Sequence, residues 1–226
     1  PFGHAVELGE PTRPAAQHFA LHGGAERRAR AELGLEGGQV GTVEVRMRED
    51  ALVPLLGGPV HHFAWPALVL GAGTGLGAAL RFADGERPVL STEAGHAALA
   101  AGTPLELDVL RVLLKRTSHV ENERVLSGTG LLTLYQVLAG LRSVAPRFSR
   151  TEDLVAAARG GEDALAVETV QVFCGWLGSF AGDLAIAFGA RSVYLAGGIS
   201  RHIADMLGDG RFAARFLDKG VLRPVL

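Results

Sequence analysis

Hydrophobic and polar positions divide the chain into a first stretch of weak periodicity and a second, from Trp65 onward, where strands and helices follow one another. In the first stretch, Thr42-Val43-Glu44-Val45-Arg46-Met47 alternates like a half-exposed strand. Glu26-Arg27-Arg28-Ala29-Arg30-Ala31-Glu32-Leu33, closed by Gly34, reads as a short helix. From Trp65, strands near 66–70, 78–82 and 87–91 are expected to form an antiparallel meander, with Asp84-Gly85 as a turn signal. Leu105–Leu114 is predicted to be an amphipathic helix with Leu107, Leu110 and Leu114 on one face, Thr103 as N-cap and Pro104 in the first turn. A second helix is expected from Leu131 to about Leu141. A third opens at Thr151-Glu152-Asp153, where a hydroxyl can cap and early acids suit the helix dipole. The longest runs from about Glu162 to Phe188 and stops at Gly189; its stripe of Phe173, Trp176, Leu177, Phe180 and Leu184 reads as core, with Cys174 packed beside it. Arg191–Ala196 is then a mostly apolar strand leading into Gly197-Gly198-Ile199-Ser200 and a helix from about Arg201.

Composition narrows the classes. With 226 residues the chain can bury a substantial core, and 48% of its residues are hydrophobic against 20% charged. A net charge of −2 supplies no basic surplus to neutralise a nucleic-acid backbone, so no nucleic-acid partner is expected. One cysteine, Cys174, excludes an internal disulfide and a Cys-rich zinc site, which fits a reducing, cytoplasmic setting. No uninterrupted apolar run reaches the ~18 residues of a spanning helix, so no membrane partner is expected either. A first residue other than Met points to an amino-terminal part that is processed or missing.

The chemistry concentrates in Leu70-Gly71-Ala72-Gly73-Thr74-Gly75-Leu76-Gly77. Four glycines here allow a backbone to approach a ligand closely, with convergent N–H groups and the Thr74 hydroxyl as donors. A dinucleotide fingerprint fits poorly, because Leu76 or Ala78 falls where the third glycine should be and a strand, not a helix, follows. A P-loop needs a Lys that is not present. Two readings remain open on local grounds, a hairpin tip that holds phosphates and a plain turn. Glu93-Ala94-Gly95-His96 places a carboxylate and an imidazole where they can share a polar pocket for sugar hydroxyls or simply tie down a loop. Ser127-Gly128-Thr129-Gly130 either offers open N–H groups to an anion or is a capping segment. Gly197-Gly198 is a strand-to-helix turn of nucleotide-binding shape or an ordinary one. His18, His22 and Glu26 recur four apart, yet Gly23-Gly24 interrupts any shared helical face; these and His61-His62 read as surface residues rather than metal ligands.

Taken together, Gly71–Gly77, Glu93–His96, Glu123-Arg124-Val125-Leu126-Ser127-Gly128-Thr129-Gly130-Leu131 and Ala196-Gly197-Gly198-Ile199 resemble bacterial glucokinases, of the actin/hexokinase-like kinase superfamily. Their order and spacing match the family's, and Phe212–Gly220 is similar to a late segment of it. The resemblance implies an α/β fold of the actin/hexokinase (ribonuclease H-like) kind. Residues 66–226 would be mainly its larger C-terminal domain, and residues 1–65 a remnant of the N-terminal lobe and inter-lobe segment. It implies ATP-dependent phosphorylation of the 6-hydroxyl of glucose, with Mg²⁺ accompanying the nucleotide and no metal cage of the protein's own. Gly73, Thr74 and Gly75 would hold ATP phosphates, Gly197 and Gly198 would face the adenosine, and Glu93, His96 and Glu123 would bind glucose hydroxyls. The partners implied are a small sugar and a nucleotide, and a homodimer is compatible with them.

Several family features have no counterpart in this sequence. The Asp-x-Gly-Gly-Thr phosphate loop is absent, as is the Asn-Asp-Phe that supplies the catalytic base, so no residue is assigned as catalytic. Ala94 stands where the family usually has a second glycine, and the sequence stops at Leu226, short of a closing Gly-rich segment. The chain alone is therefore expected to be weak or inactive as a kinase. A non-catalytic sugar-binding or regulatory module is the alternative, and an incomplete copy of a full kinase a third.

Overall fold

In the computed structural model, residues 65–83 and 89–226 are described, together with four strand segments before them. Those segments are β1 (His18–Leu21), β2 (Arg28–Gly34), β3 (Val40–Arg46) and β4 (Val53–Leu56). They are followed by β5 (Ala67–Ala72), β6 (Leu76–Arg81), β7 (Val89–Thr92), α1 (Pro104–Leu114), α2 (Gly128–Arg142), α3 (Thr151–Gly160), α4 (Ala164–Phe188), β8 (Ser192–Ala196), α5 (Gly198–His202), α6 (Ala204–Leu207) and α7 (Arg211–Leu217). A mixed six-stranded sheet has the order β4-β1-β8-β5-β6-β7. β8 lies parallel to both β1 and β5, and β5, β6 and β7 form the expected antiparallel meander.

Two strands from before residue 65 thus belong to the sheet of the later residues. The other two, β2 and β3, form a separate antiparallel pair. The predicted helix at 26–33 is overturned there: residues 28–34 are strand. Charged Arg28, Arg30 and Glu32 alternate with Ala29, Ala31 and Leu33, a period of two that suits a strand as well as its composition suits a helix. Pairing decides the matter, because the register sets Ala29 and Ala31 opposite Val45 and Val43, and Arg30 opposite Glu44. The Asp84-Gly85 turn and the His22, Glu26 and His61-His62 candidates lie outside the described residues.

The core lies between the sheet and the helices. Leu68, Leu70 and Ala72 of β5, Leu80 of β6, and Val193 and Leu195 of β8 meet Leu131, Leu134 and Leu138 of α2 and Phe173 and Leu177 of α4 in one buried cluster. α4 is the central helix. Asp163 caps its start by accepting the Ala166 N–H at 2.9 Å, and Gly189 ends it in the left-handed conformation. By length and composition α4 could cross a membrane, although no single apolar run predicts it. Here 61% of its most apolar window is buried, and it packs against α2, α3 and α7 as a core helix. Its glycines explain how closely α7 approaches: a Cβ on Gly178 would overlap the Phe212 carbonyl, and Phe212 and Phe216 are fully buried with ring centroids 6.3 Å apart.

The face of α1 differs from expectation. Thr103 is the N-cap, accepting the Glu106 N–H at 3.2 Å, as its position predicts. The buried residues, however, are Glu106, Val109 and Leu113, while Leu107 and Leu114 are 41% and 48% exposed. A buried glutamate sets this face. Glu106 accepts the Gly102 N–H at 2.6 Å and pairs with Arg215 of α7 at 2.9 Å, an interaction that apolar periodicity does not register. At α3 the predicted cap is displaced as well. Arg150 is the N-cap and makes no side-chain cap bond, while Thr151 is already helical and uses its hydroxyl elsewhere.

Candidate functional site

The glycine-rich stretch is a hairpin between β5 and β6, its tip at Gly73-Thr74-Gly75 closed by a Gly73 N–H bond to the Gly75 carbonyl at 2.9 Å. Two helix starts converge on this tip. Gly128, first residue of α2, donates its N–H to the Gly73 carbonyl at 2.7 Å, and a Cβ on Gly128 would lie 3.2 Å from that oxygen and 3.6 Å from Ile199 Cδ1. Gly197, at φ 91° and ψ 164°, sits so close to the end of β5 that a Cβ would overlap the Ala72 carbonyl. The N of Gly198 is 4.0 Å from where a Gly73 Cβ would stand. Only glycine adopts the Gly197 conformation without strain, and only glycine leaves this space. Ser127 caps α2 by accepting the Gly130 N–H at 3.0 Å, while Thr74 and Thr129 remain exposed beside the converging backbone. Such an arrangement can hold an anion: small residues, N–H groups and the exposed Thr74 hydroxyl, with the Thr129 hydroxyl 3.4 Å from Ser127 Oγ.

The second half of the site is built on Leu76, the residue after the tip. Its N–H donates to Glu123 Oε2 at 2.7 Å, and the same carboxylate oxygen lies 2.6 Å from where a Gly75 Cβ would be. Its carbonyl abuts Gly95, where any Cβ would overlap it, so the 3₁₀ turn Ala94–His96 is pressed onto β6. Thr92 Oγ1 steadies the approach, donating to the Ala78 carbonyl at 3.1 Å and accepting the Ala94 N–H at 3.3 Å. Glu93 and His96 flank this turn with side chains 67% and 62% exposed and their polar ends 3.9 Å apart. Glu123 belongs to a second 3₁₀ turn, Asn122–Arg124, laced to the first. Buried Asn122 donates both its backbone N–H, at 3.0 Å, and its Nδ2, at 2.8 Å, to the Ala97 carbonyl, and His119 Nε2 meets the His96 carbonyl at 2.9 Å. Two carboxylates and an imidazole are thereby carried on two linked turns beside β6, with acceptors suited to hydroxyl groups.

The family model for glucokinase matches residues 39–226. This chain belongs to the glucokinase family. A glucokinase-like protein of Xylella fastidiosa is 44% identical over 180 residues, covering 79% of this chain and 54% of that protein. The glucokinase of Marinobacter nauticus is 41% identical over 178 residues, 77% of this chain and 55% of that one. The chain spans about half the length of the curated relatives it matches. Among solved structures, glucokinase from an Antarctic psychrotroph superposes with a TM-score of 0.66 at 36% identity, covering 72% of this chain and 52% of that one. The glucokinase of Balamuthia mandrillaris in complex with glucose shares the fold, with a TM-score of 0.60 at 24% identity over 68% of this chain and 46% of that one. The α/β fold is that of the actin/hexokinase-like kinases.

In this glucokinase-family chain, Gly73, Thr74, Gly75, Gly197 and Gly198 come together at the hairpin tip, and the Glu123 carboxylate reaches the same tip at Gly75 and Leu76. Glu93 and His96 lie on the next turn, linked to the turn of Glu123 through Leu76 and Gly95 and through the bonds of Asn122 and His119. Sequence reasoning missed the role of Leu76, which it met only as the residue standing where a third glycine would fall, and Asn122, whose place immediately before Glu123 was its one signal. It also missed the direct bond from Gly128 to Gly73. Cys174 is inert packing: burial pushes its thiol well above the ordinary range, and it lies inside the core.

Proposed function

We propose that this chain forms the sugar- and phosphate-holding part of an ATP-dependent kinase that acts on the 6-hydroxyl of glucose. The observation that carries this reading is Leu76: one residue binds the Glu123 carboxylate by its N–H and supports the Glu93–His96 turn by its carbonyl, immediately after the Gly73-Thr74-Gly75 tip. Residues 66–226 would be the larger lobe, completed by β1 and β4. A cytoplasmic setting belongs to the same proposal.

Gly73, Thr74 and Gly75 would receive the ATP phosphates, and Gly197-Gly198 would lie against the adenosine. The fit rests on the open space at Gly73, where a Cβ would meet nothing nearer than the Gly198 N at 4.0 Å, and at Gly198, where it would meet nothing within 4 Å. Mg²⁺ bound with the nucleotide would neutralise charge on the phosphates. Glu93, His96 and Glu123 would accept and donate hydrogen bonds to sugar hydroxyls and so fix the hexose against the tip. Positioning of this kind is most of what phosphoryl transfer asks of a protein.

The remaining requirement is a carboxylate that takes the hydroxyl proton. The only asparagine in the sequence is Asn122, followed by Glu123, so an Asn-Asp-Phe triplet occurs nowhere in it. That observation favours the second reading, in which the chain binds sugar without transferring phosphate. Calorimetry with glucose and with ATP tests the proposal. Binding of both supports it, glucose heat without ATP heat selects the sugar-binding module, and no glucose heat overturns both.

A further inference from the structure

We propose that Thr151, on α3 and outside the residues assigned to either substrate, is a positioning residue for the phosphate turn; this rests on the reading of Gly73-Thr74-Gly75 as that turn. A threonine at a helix start ordinarily caps its own helix. Thr151 does not: it is the first helical residue of α3, and its Oγ1 donates to the Gly128 carbonyl at 2.8 Å, across 23 positions of sequence. Gly128 in turn donates its N–H to the Gly73 carbonyl at 2.7 Å. One glycine therefore takes the Thr151 hydroxyl on one side and the hairpin tip on the other.

There is little slack at this residue. A Cβ on Gly128 would stand 3.2 Å from the Gly73 oxygen and 3.6 Å from Ile199, so a shift of Gly128 carries the tip with it or opens the contact with α5. The Gly73 N–H is bonded to the Gly75 carbonyl, so movement of Gly73 reorients all three residues of the tip. The hydroxyl also fixes a donor directly. The Gly128 carbonyl and the Thr129 N–H lie in one peptide plane, so the hydroxyl reinforces the orientation that α2 gives to that N–H, which points out of the helix start. Serially bonded peptides also polarise one another, which strengthens the donors at the far end.

The sugar residues are held by separate contacts. Glu123 rests on Leu76 and Asn122, and the Glu93–His96 turn rests on Gly95, Thr92 and His119. Loss of the Thr151 hydroxyl should therefore act on the nucleotide and spare the sugar. Isothermal calorimetry on the full chain with Mg²⁺–ATP and with glucose tests this, using Thr151→Val, Thr151→Ser and Thr151→Val combined with Arg150→Ser. The last variant gives α3 the side-chain cap it lacks, and so restores helix stability without restoring the bond to Gly128. Loss of one hydrogen bond of ordinary strength corresponds to an ATP affinity about 3- to 10-fold weaker in Thr151→Val. Glucose affinity should stay within about two-fold, Thr151→Ser should be close to the parent, and the added cap should not recover ATP binding. Unchanged ATP affinity in Thr151→Val, a parallel loss of glucose affinity, or recovery by the cap alone each overturns the proposal. A parent chain that binds glucose but gives no ATP heat removes the phosphate-turn reading itself, and this proposal with it.

Discussion

At the residue scale, the site depends on which glycines sit against side-chain ends and which against backbone. A Cβ at Gly75 would meet Glu123 Oε2 at 2.6 Å, the far end of a flexible side chain that can swing away. Gly75→Ala should therefore leave stability within about 1 kcal/mol of the parent while displacing the carboxylate from the Leu76 N–H. Glucose affinity should fall about ten-fold, a loss of roughly 1.4 kcal/mol; calorimetry beside a thermal melt separates the two effects. Gly197→Ala is the opposite case. It forces an alanine into a conformation open almost only to glycine and against the Ala72 carbonyl, neither of which can give way cheaply. A cost of about 3 kcal/mol or more is expected, read as a fall in the denaturant midpoint. The two glycines look alike in sequence. Their motifs located the site, but the difference between them is a property of neighbours 48 and 125 residues away, Glu123 and Ala72, that no local pattern encodes.

At the scale of elements, some caps and stops were legible and buried charge was not. Thr103 begins α1 and Gly189 ends α4 where the sequence suggests, because capping is a local interaction, whereas α2 begins at Gly128, ahead of the expected Leu131, and Thr151 does not cap α3. α1 was read with the wrong face inward because Glu106 counts as polar in any periodicity, yet it is 3% exposed and bound to Arg215 and the Gly102 N–H. Breaking this pair from one side leaves the largely buried Arg215, among the described residues, only the exposed Asp218 at 3.3 Å, so Glu106→Ala should cost about 3 kcal/mol, and Glu106→Leu with Arg215→Met should recover much of it. A urea titration of the three proteins checks the order. A weaker ionic link ties α3 to α6, where a hydrogen bond from Arg159 holds the Asp205 carboxyl below the ordinary range. Its contribution is present above the unfolded carboxylate pKa of about 3.9 and is lost as pH falls through the lower folded value. Both side chains are about half exposed, at 47% and 53%, so solvent screening keeps it below about 1 kcal/mol. In Arg159→Met, stability should fall less steeply with acid below about pH 4 than in the parent, a difference visible in melts across that range.

At the scale of the whole molecule, the order of motifs was more informative than any one of them. The hairpin tip, Glu93–His96, Glu123–Leu131 and Gly197-Gly198 are individually ordinary turns, and the fold gathers the tip, Glu123 and the paired glycines around the edge of β5 and β6. What the sequence could not convey was that Leu76 joins the two halves, since a backbone N–H leaves no trace in residue identity. That junction sets the last prediction. On the proposed reading Glu123 would touch the sugar on one side and the Leu76 N–H beside the tip on the other, so ATP seated at the tip and glucose seated on Glu123 should bind with linked affinities, each altering the other by the same factor. Glu123→Gln retains an acceptor for the Leu76 N–H and should weaken glucose binding while preserving linkage; Glu123→Ala should abolish it. Turnover is a separate matter. A general base contributes about 10²–10⁴ to a proton-transfer-assisted reaction, and the sequence carries no Asn-Asp-Phe triplet to supply one. The chain should therefore bind both ligands with measurable linkage in calorimetry and yet form glucose 6-phosphate at a small fraction of a full kinase's rate in a coupled assay. Near-normal turnover would require a base among the acids already present, and linkage-free binding would mean that Leu76 holds Glu123 without communicating its position.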